Sequence, residues 1–184
     1  LAMSGHYGSY LDALFEATSG LTTTGASLVI DLEHISYADN MWRFTMHLIG
    51  GLGLIVIALT LGIFGKATSG LYSSEGRSEH VLPNIVNTVR LISQISLGVI
   101  GAATIVLFVF CILGGFDPLR GFLNALWMAV SGFTTAGFSP TSQSVMYYHS
   151  FAFEVVCIVL MLLGAVNFAL FVKIRQGETI SFFK

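Results

Sequence analysis

Long uncharged runs, separated by short polar stretches, set the outline of this chain. Phe44–Gly65 carries no formal charge apart from titratable His47, and Leu91–Phe116 and Val155–Val172 are likewise uncharged. A helix crosses a bilayer core of about 30 Å with about 20 apolar residues, so each run is predicted to span. The polar pieces are a glycine-containing lead-in (Leu1–Tyr10), a return carrying Asp31, Glu33 and Asp39 (Leu28–Met41), a surface connection with helical flanks (Lys66–Arg90) and the predicted turn Asp117-Pro118-Leu119-Arg120.

Gly121–Phe153 is also uncharged but is not predicted to cross. Gly132, Gly137 and Pro140 interrupt helix continuity, and Thr134 and Thr135 add β-branched residues. Broken backbone at membrane depth must face protein or line a watery cavity, because lipid cannot satisfy its N–H and C=O groups. The prediction is a half-helix over Phe122–Ser131, a loop over Gly132–Pro140 and a polar return over Thr141–His149. An earlier segment reads the same way, with Asp12 as the expected cap of a helix that Gly20 stops after Ser19. About eight residues at about 1.5 Å each give roughly 12 Å, under half of the core. The C-terminal end of such a half-helix carries partial negative charge, which favours a cation near the bilayer centre.

The two segments are copies of one another. Asp12–Ser27 aligns without gaps on Asn124–Ser139, sharing Ala13/Ala125, Leu14/Leu126, Ala17/Ala129, Ser19/Ser131, Gly20/Gly132, Thr22/Thr134, Thr23/Thr135, Gly25/Gly137 and Ser27/Ser139. A duplicated broken helix in an apolar chain points to an ion or substrate site where the repeats meet.

Composition agrees with a membrane protein: 54% of residues are hydrophobic and 10% charged, against about 25% charged in soluble domains. The net charge of -2, without a basic cluster, argues against nucleic acid as a partner. Cys111 and Cys157 lie inside apolar runs and read as small buried hydrophobes. Residue 1 is Leu, with no charged stretch before a short apolar core; no signal peptide is expected, and the chain is expected to begin partway through a longer polypeptide. Lys66, Arg77, Arg90, Lys173, Arg175 and Lys184 fall on one predicted side, Arg43 and Arg120 on the other. The positive-inside rule then places the 66–90 connection and the C-terminus in the cytoplasm, so both half-helices enter from outside.

The chemistry expected of the loops is cation exchange. A permeating ion trades its water shell for oxygens, and backbone carbonyls bind a monovalent cation without trapping it. Aligning successive carbonyls requires positive φ, which glycine adopts freely, and Gly25 and Gly137 are the candidates for it. The preceding Thr carbonyls would complete the sites. Of the remaining polar groups, Arg43 beside Trp42 reads as an interfacial anchor and the Gly50-Gly51-Gly53 and Gly98/Gly101 sets as packing faces. His47 and Asn167 read as polar contacts between helices, and Glu154 as solvated or paired with Arg120.

These residues resemble the Trk/Ktr/HKT superfamily of potassium transporters, specifically the TrkH-type membrane subunit. The resemblance is carried by Phe15–Ala26, Trp42-Arg43, Gly50–Val56, Ser131–Ser139 and Gly164–Leu170. It implies an all-α membrane protein of repeated helix–pore-loop–helix units, potassium-channel-like, with re-entrant half-helices. Residues 1–65 match the first repeat without its leading outer helix, 66–90 a cytoplasmic connection, 91–175 the second repeat and 176–184 a cytoplasmic tail. It further implies potassium uptake across the cell (inner) membrane, with Thr22, Thr23, Thr24, Gly25, Thr134, Thr135, Ala136 and Gly137 as filter residues. Potassium is the transported ligand, no covalently bound cofactor is expected, and the implied partners are membrane lipid, a second copy in a homodimer and a cytosolic RCK-type nucleotide-binding regulatory subunit. Two filter strands cannot enclose a fourfold site, so the sequence reads as the first two of four repeats, with assembly of half-pores as the other explanation.

A rival reading is an intramembrane serine hydrolase, with Ser131 or Ser19 as nucleophile and His149 or His47 as base. Duplication weighs against it, since a nucleophile is needed once and a pore wall several times. A scaffold without transport activity would show no cation flux at all.

Overall fold

The computed structural model describes residue 5, residues 7–60 and residues 78–165. Among these, every regular element is helical: α1 Tyr10–Leu21, α2 Tyr37–Thr60, α3 Ser78–Leu113, α4 Pro118–Phe133, a 3-10 turn at Ser144–Tyr148, and α5 Phe151–Ala165. Residues 1–51 and 99–165 form one compact unit, which contains both half-helices and both loops. Of the described residues, 52–60 and 78–98 belong to the other.

Both half-helices are longer than the sequence suggested. Ser9, not Asp12, caps α1: its side chain accepts from the Asp12 amide at 3.2 Å. Asp12 lies in the first turn, where its charge suits the positive helix end. The stretch Asp117–Arg120, read as a turn, is the start of α4. Asp117 Oδ2 accepts from the amides of Leu119 and Arg120 (3.2 and 3.3 Å), and Pro118 takes a first-turn position that needs no N–H. Neither Gly20 nor Gly132 stops its helix. Each is a contact point: a Cβ on Gly20 would lie 3.3 Å from Met46 Cβ, and one on Gly132 3.5 Å from Leu160 Cβ. At 12 and 16 residues, α1 and α4 still fall short of the ~20 that crossing requires.

The helix α2 begins at Tyr37, seven residues before the uncharged run, because Ser36 and Asp39 cap it. Asp39 N donates to Ser36 Oγ (3.1 Å) and Ser36 Oγ donates to Asp39 Oδ2 (2.8 Å), a reciprocal start signal. The helix α3 takes in the second half of the predicted 66–90 connection and runs 36 residues; its Val89–Leu113 portion is long and apolar enough to cross a bilayer. Gly98 and Gly101 are not a packing pair among the described residues, none of which lies within 4 Å of a Cβ built on either. The helix closes at Gly115 (φ 80°), where Gly115 N reaches Ile112 O (3.0 Å) and Phe116 N reaches Cys111 O (3.1 Å). This paired-bond ending with a left-handed glycine is the Schellman motif.

Within the unit holding both loops, α4 is the innermost helix: Ala125, Trp127, Ala129 and Phe133 are buried, and Trp127 stacks on Phe44 of α2 at 5.6 Å. Cys111 and Cys157 are free and buried, as expected. The predicted span ends at 61–65 and 166–172, Asn167, and the cations Lys66, Arg77, Lys173, Arg175 and Lys184 lie outside the described residues.

Candidate functional site: two left-handed loops and a buried ion pair

The two loops leave their helices through the same hydrogen bonds. After α1, Thr23 N donates to Gly20 O (3.3 Å) and Thr24 N to Ser19 O (2.9 Å). After α4, Thr135 N donates to Gly132 O (3.3 Å) and Ala136 N to Ser131 O (3.1 Å). These are Schellman motifs like that of α3, but threonine replaces glycine at the left-handed position: φ is 53° at Thr23 and 52° at Thr135. Two residues on, Gly25 (φ 76°) and Gly137 (φ 88°) are left-handed again. Only the glycines were expected there. A β-branched residue in this region is a genuine outlier, and a Cβ there costs about 1–2 kcal/mol.

Hydroxyls brace the turns. Thr22 Oγ1 donates to Thr18 O and Thr134 Oγ1 to Val130 O, both at 2.8 Å. Thr22 and Thr24 join hydroxyls at 2.8 Å, and Thr135 Oγ1 donates to Thr134 O at 2.8 Å. Among the described residues, no donor reaches the carbonyls of Thr22, Thr23, Thr24, Gly25, Thr135, Ala136 or Gly137. The loops meet at their glycines. A Cβ on Gly25 would overlap the Ala136 carbonyl oxygen and come 2.9 Å from Gly137 Cα; one on Gly137 would lie 3.4 Å from Gly25 Cα.

Each half-helix ends against a glycine of the helix that follows its loop. A Cβ on Gly50 of α2 would overlap the carbonyl of Leu21, the last residue of α1. One on Gly164 of α5 would overlap the carbonyl of Phe133, the last residue of α4. Leu21 and Phe133 are repeat equivalents, so the two following helices align with Gly50 on Gly164.

Arg43 is not an interfacial anchor. It is completely buried, and its Nε donates to Oε1 of equally buried Glu16 at 2.9 Å. Its Nη1 donates to Asn40 Oδ1 (2.8 Å), its Nη2 to Ser27 Oγ (3.2 Å), and its guanidinium lies 4.4 Å from the Phe138 ring centre. Glu16 also accepts from Ser27 Oγ (2.8 Å) and Leu28 N (3.0 Å). A burial signal was available in the Glu16 position, which falls on the same α1 face as Ala13 and Gly20. Among the described residues His47 is no hydrogen-bonded contact either: both ring nitrogens lack partners there, and the ring stacks on Phe138 at 4.2 Å.

Asp31 and Glu33, on the polar return after the first loop, both have partners. Asp31 pairs with His34 at 2.8 Å, which raises the His34 pKa from its ordinary value. Ser142 donates from its amide (2.9 Å) and its hydroxyl to Glu33 Oε1, and these bonds hold the Glu33 pKa below the ordinary carboxylate value. Arg120 reaches the Tyr147 hydroxyl at 3.5 Å rather than Glu154. For a hydrolase the pairing fails: among the described residues no hydrogen bond joins Ser19 or Ser131 to a histidine, and Ser19 Oγ has no partner.

A profile of the TrkH family, described as cation transport protein, matches residues 1–181. The chain belongs to the TrkH family. It is 32% identical over 177 residues to the Trk system potassium uptake protein TrkG of Escherichia coli K12, covering 94% of this chain and 35% of that protein. It is 31% identical over 182 residues to the Trk system potassium uptake protein TrkH of Halomonas elongata, covering 94% and 36%. The crystal structure of the potassium transporter TrkH from Vibrio parahaemolyticus superposes with a TM-score of 0.70 at 29% identity, covering 94% of this chain and 33% of that one. The chain thus spans about a third of the length of the TrkH-family proteins it matches, and it shares their helical pore-loop fold.

Proposed function

We propose that this chain contributes two strands to a potassium-selective filter in the cell membrane. Main-chain carbonyls of Thr22, Thr23, Thr24 and Gly25, and of Thr134, Thr135, Ala136 and Gly137, replace the ion's water. The observation that carries this reading is the duplicated turn, left-handed at Thr and again at Gly, of whose eight carbonyls all but that of Thr134 lack a donor among the described residues. Thr134 O accepts from Thr135 Oγ1 but keeps a second lone pair. The half-helix ends aim partial negative charge at the same place. The names of the relatives, Trk system potassium uptake proteins, support the choice of ion. The intact protein works in the inner membrane, as a homodimer bound to a cytosolic RCK-type subunit, with residues 66–90 on the cytoplasmic side. Homodimerisation, the regulatory subunit and the orientation rest on the family resemblance and the charge pattern.

The test is uptake in a strain lacking its own potassium uptake, expressing the intact protein. Gly137→Ser is expected to abolish rubidium uptake or to lower potassium preference over sodium. Unchanged uptake together with unchanged preference would overturn the proposal. A Gly25→Ala variant should be more severe than Gly137→Ala, because only the first drives a Cβ into a carbonyl of the other loop.

A further inference from the structure

One guanidinium touches the outgoing strands of both loops. Arg43 donates to Ser27, two residues beyond Gly25, and lies 4.4 Å from the ring centre of Phe138, the residue after Gly137. Glu16, on the first half-helix, fixes that guanidinium at 2.9 Å and holds Ser27 and the Leu28 amide with its two oxygens. We propose that Arg43, oriented by Glu16, is a positioning residue that sets the spacing of the two filter strands and so their potassium-over-sodium preference. The proposal rests on the filter reading above.

The second repeat supplies an internal comparison. Met128 occupies the place of Glu16, and Ser139 Oγ approaches its sulfur at 4.0 Å where Ser27 approaches the carboxylate at 2.8 Å. With Gly50 aligned on Gly164, buried Cys157 stands where Arg43 stands. The same scaffold is therefore built once with an ion pair and once with buried Met128 and Cys157 at the equivalent positions. Burying an ion pair carries a desolvation cost that the second repeat avoids, so folding alone does not require one. The ionic version supplies reach and direction. An arginine fork places three contacts in fixed geometry, to Glu16, Asn40 and Ser27, while its flat face rests on Phe138. Ala26 replaces Phe138 in the first repeat, so the coupling runs one way, from α2 to the second loop. His47, one turn along α2, stacks on the same Phe138 ring.

Removing one member of the pair leaves a buried, uncompensated charge, so the informative variant changes both. Glu16→Met with Arg43→Cys copies the second repeat's own packing. In the intact protein, this double variant is expected to reach the membrane in wild-type amounts. Its potassium-over-sodium preference, from rubidium uptake with and without competing sodium, should fall about tenfold, the scale of one lost charge-assisted bond. Wild-type preference at wild-type abundance would overturn the proposal, as would a loss of abundance with preference intact in the protein that remains. Should the double variant not accumulate, Glu16→Gln keeps the shape and removes the charge. A fall of about threefold in preference supports the proposal, and no change overturns it. Gly137→Ser, measured alongside, separates the two ideas: if it leaves both uptake and preference unchanged, the filter reading fails first.

Discussion

Thr23 and Thr135 occupy the left-handed position at which α3 uses Gly115 to end by the same pair of hydrogen bonds. Strain of this kind collects at functional sites, where surrounding structure overrides it. Thr23→Gly and Thr135→Gly should therefore leave thermal stability unchanged or raise it by up to about 1 kcal/mol, since relief of the left-handed strain outweighs glycine's extra chain entropy. Thermal unfolding of the purified protein checks this; a loss above about 1 kcal/mol would contradict the strain argument. Rubidium uptake should fall in Thr135→Gly, because the hydroxyl that braces the Thr134 carbonyl is gone. Glu33 gives a pH prediction at the same scale. Its pKa is lowered in the folded protein by the Ser142 bonds, so that link is complete above the ordinary Glu value and is lost as pH falls through the lower, folded one. Protection of the Ser142 amide from hydrogen exchange, relative to its intrinsic rate, should be flat from neutrality to about pH 4.3 and decline below it. Glu33→Gln should remove that decline.

Gly50 and Gly164 hold the ends of the half-helices by what they lack. Each lets a following helix sit directly on the last carbonyl of α1 or α4. Gly50→Ala and Gly164→Ala should each cost about 1–3 kcal/mol, as overpacking does in a close contact. Gly53→Ala, whose Cβ would meet no described residue within 4 Å, should cost nothing measurable. Denaturation of the three variants side by side distinguishes a backbone contact from a general small-residue face. The sequence showed the repeat, the half-helices and the left-handed glycines, because apolar period, duplication and glycine spacing are local signals. It misplaced helix ends at Gly20 and Gly132, where glycine serves an approaching Met46 or Leu160 and not a turn. It read Arg43 as surface because its partners Glu16, Ser27 and Phe138 are brought together only by tertiary packing. The Ser36/Asp39 start of α2 was legible as an S-x-x-D pattern and lay hidden inside a stretch read as polar return.

At the scale of the molecule, the two repeats are one design with unequal interiors. The half-helices, their Schellman endings and the glycine seats recur, while the ion pair of the first repeat becomes Met128 and Cys157 in the second. Features that recur are those the loops need in order to bend; the feature that differs is the one that joins the two strands. The central claim is that an alkali ion is held by main-chain oxygens of both loops. Its most direct test is anomalous diffraction from crystals of the intact protein soaked in thallium, a heavy substitute for potassium. The account predicts a peak between the Thr24–Gly25 and Ala136–Gly137 carbonyls. It is contradicted by an empty position there, with thallium bound instead by side-chain carboxylates such as Asp31 and Glu33.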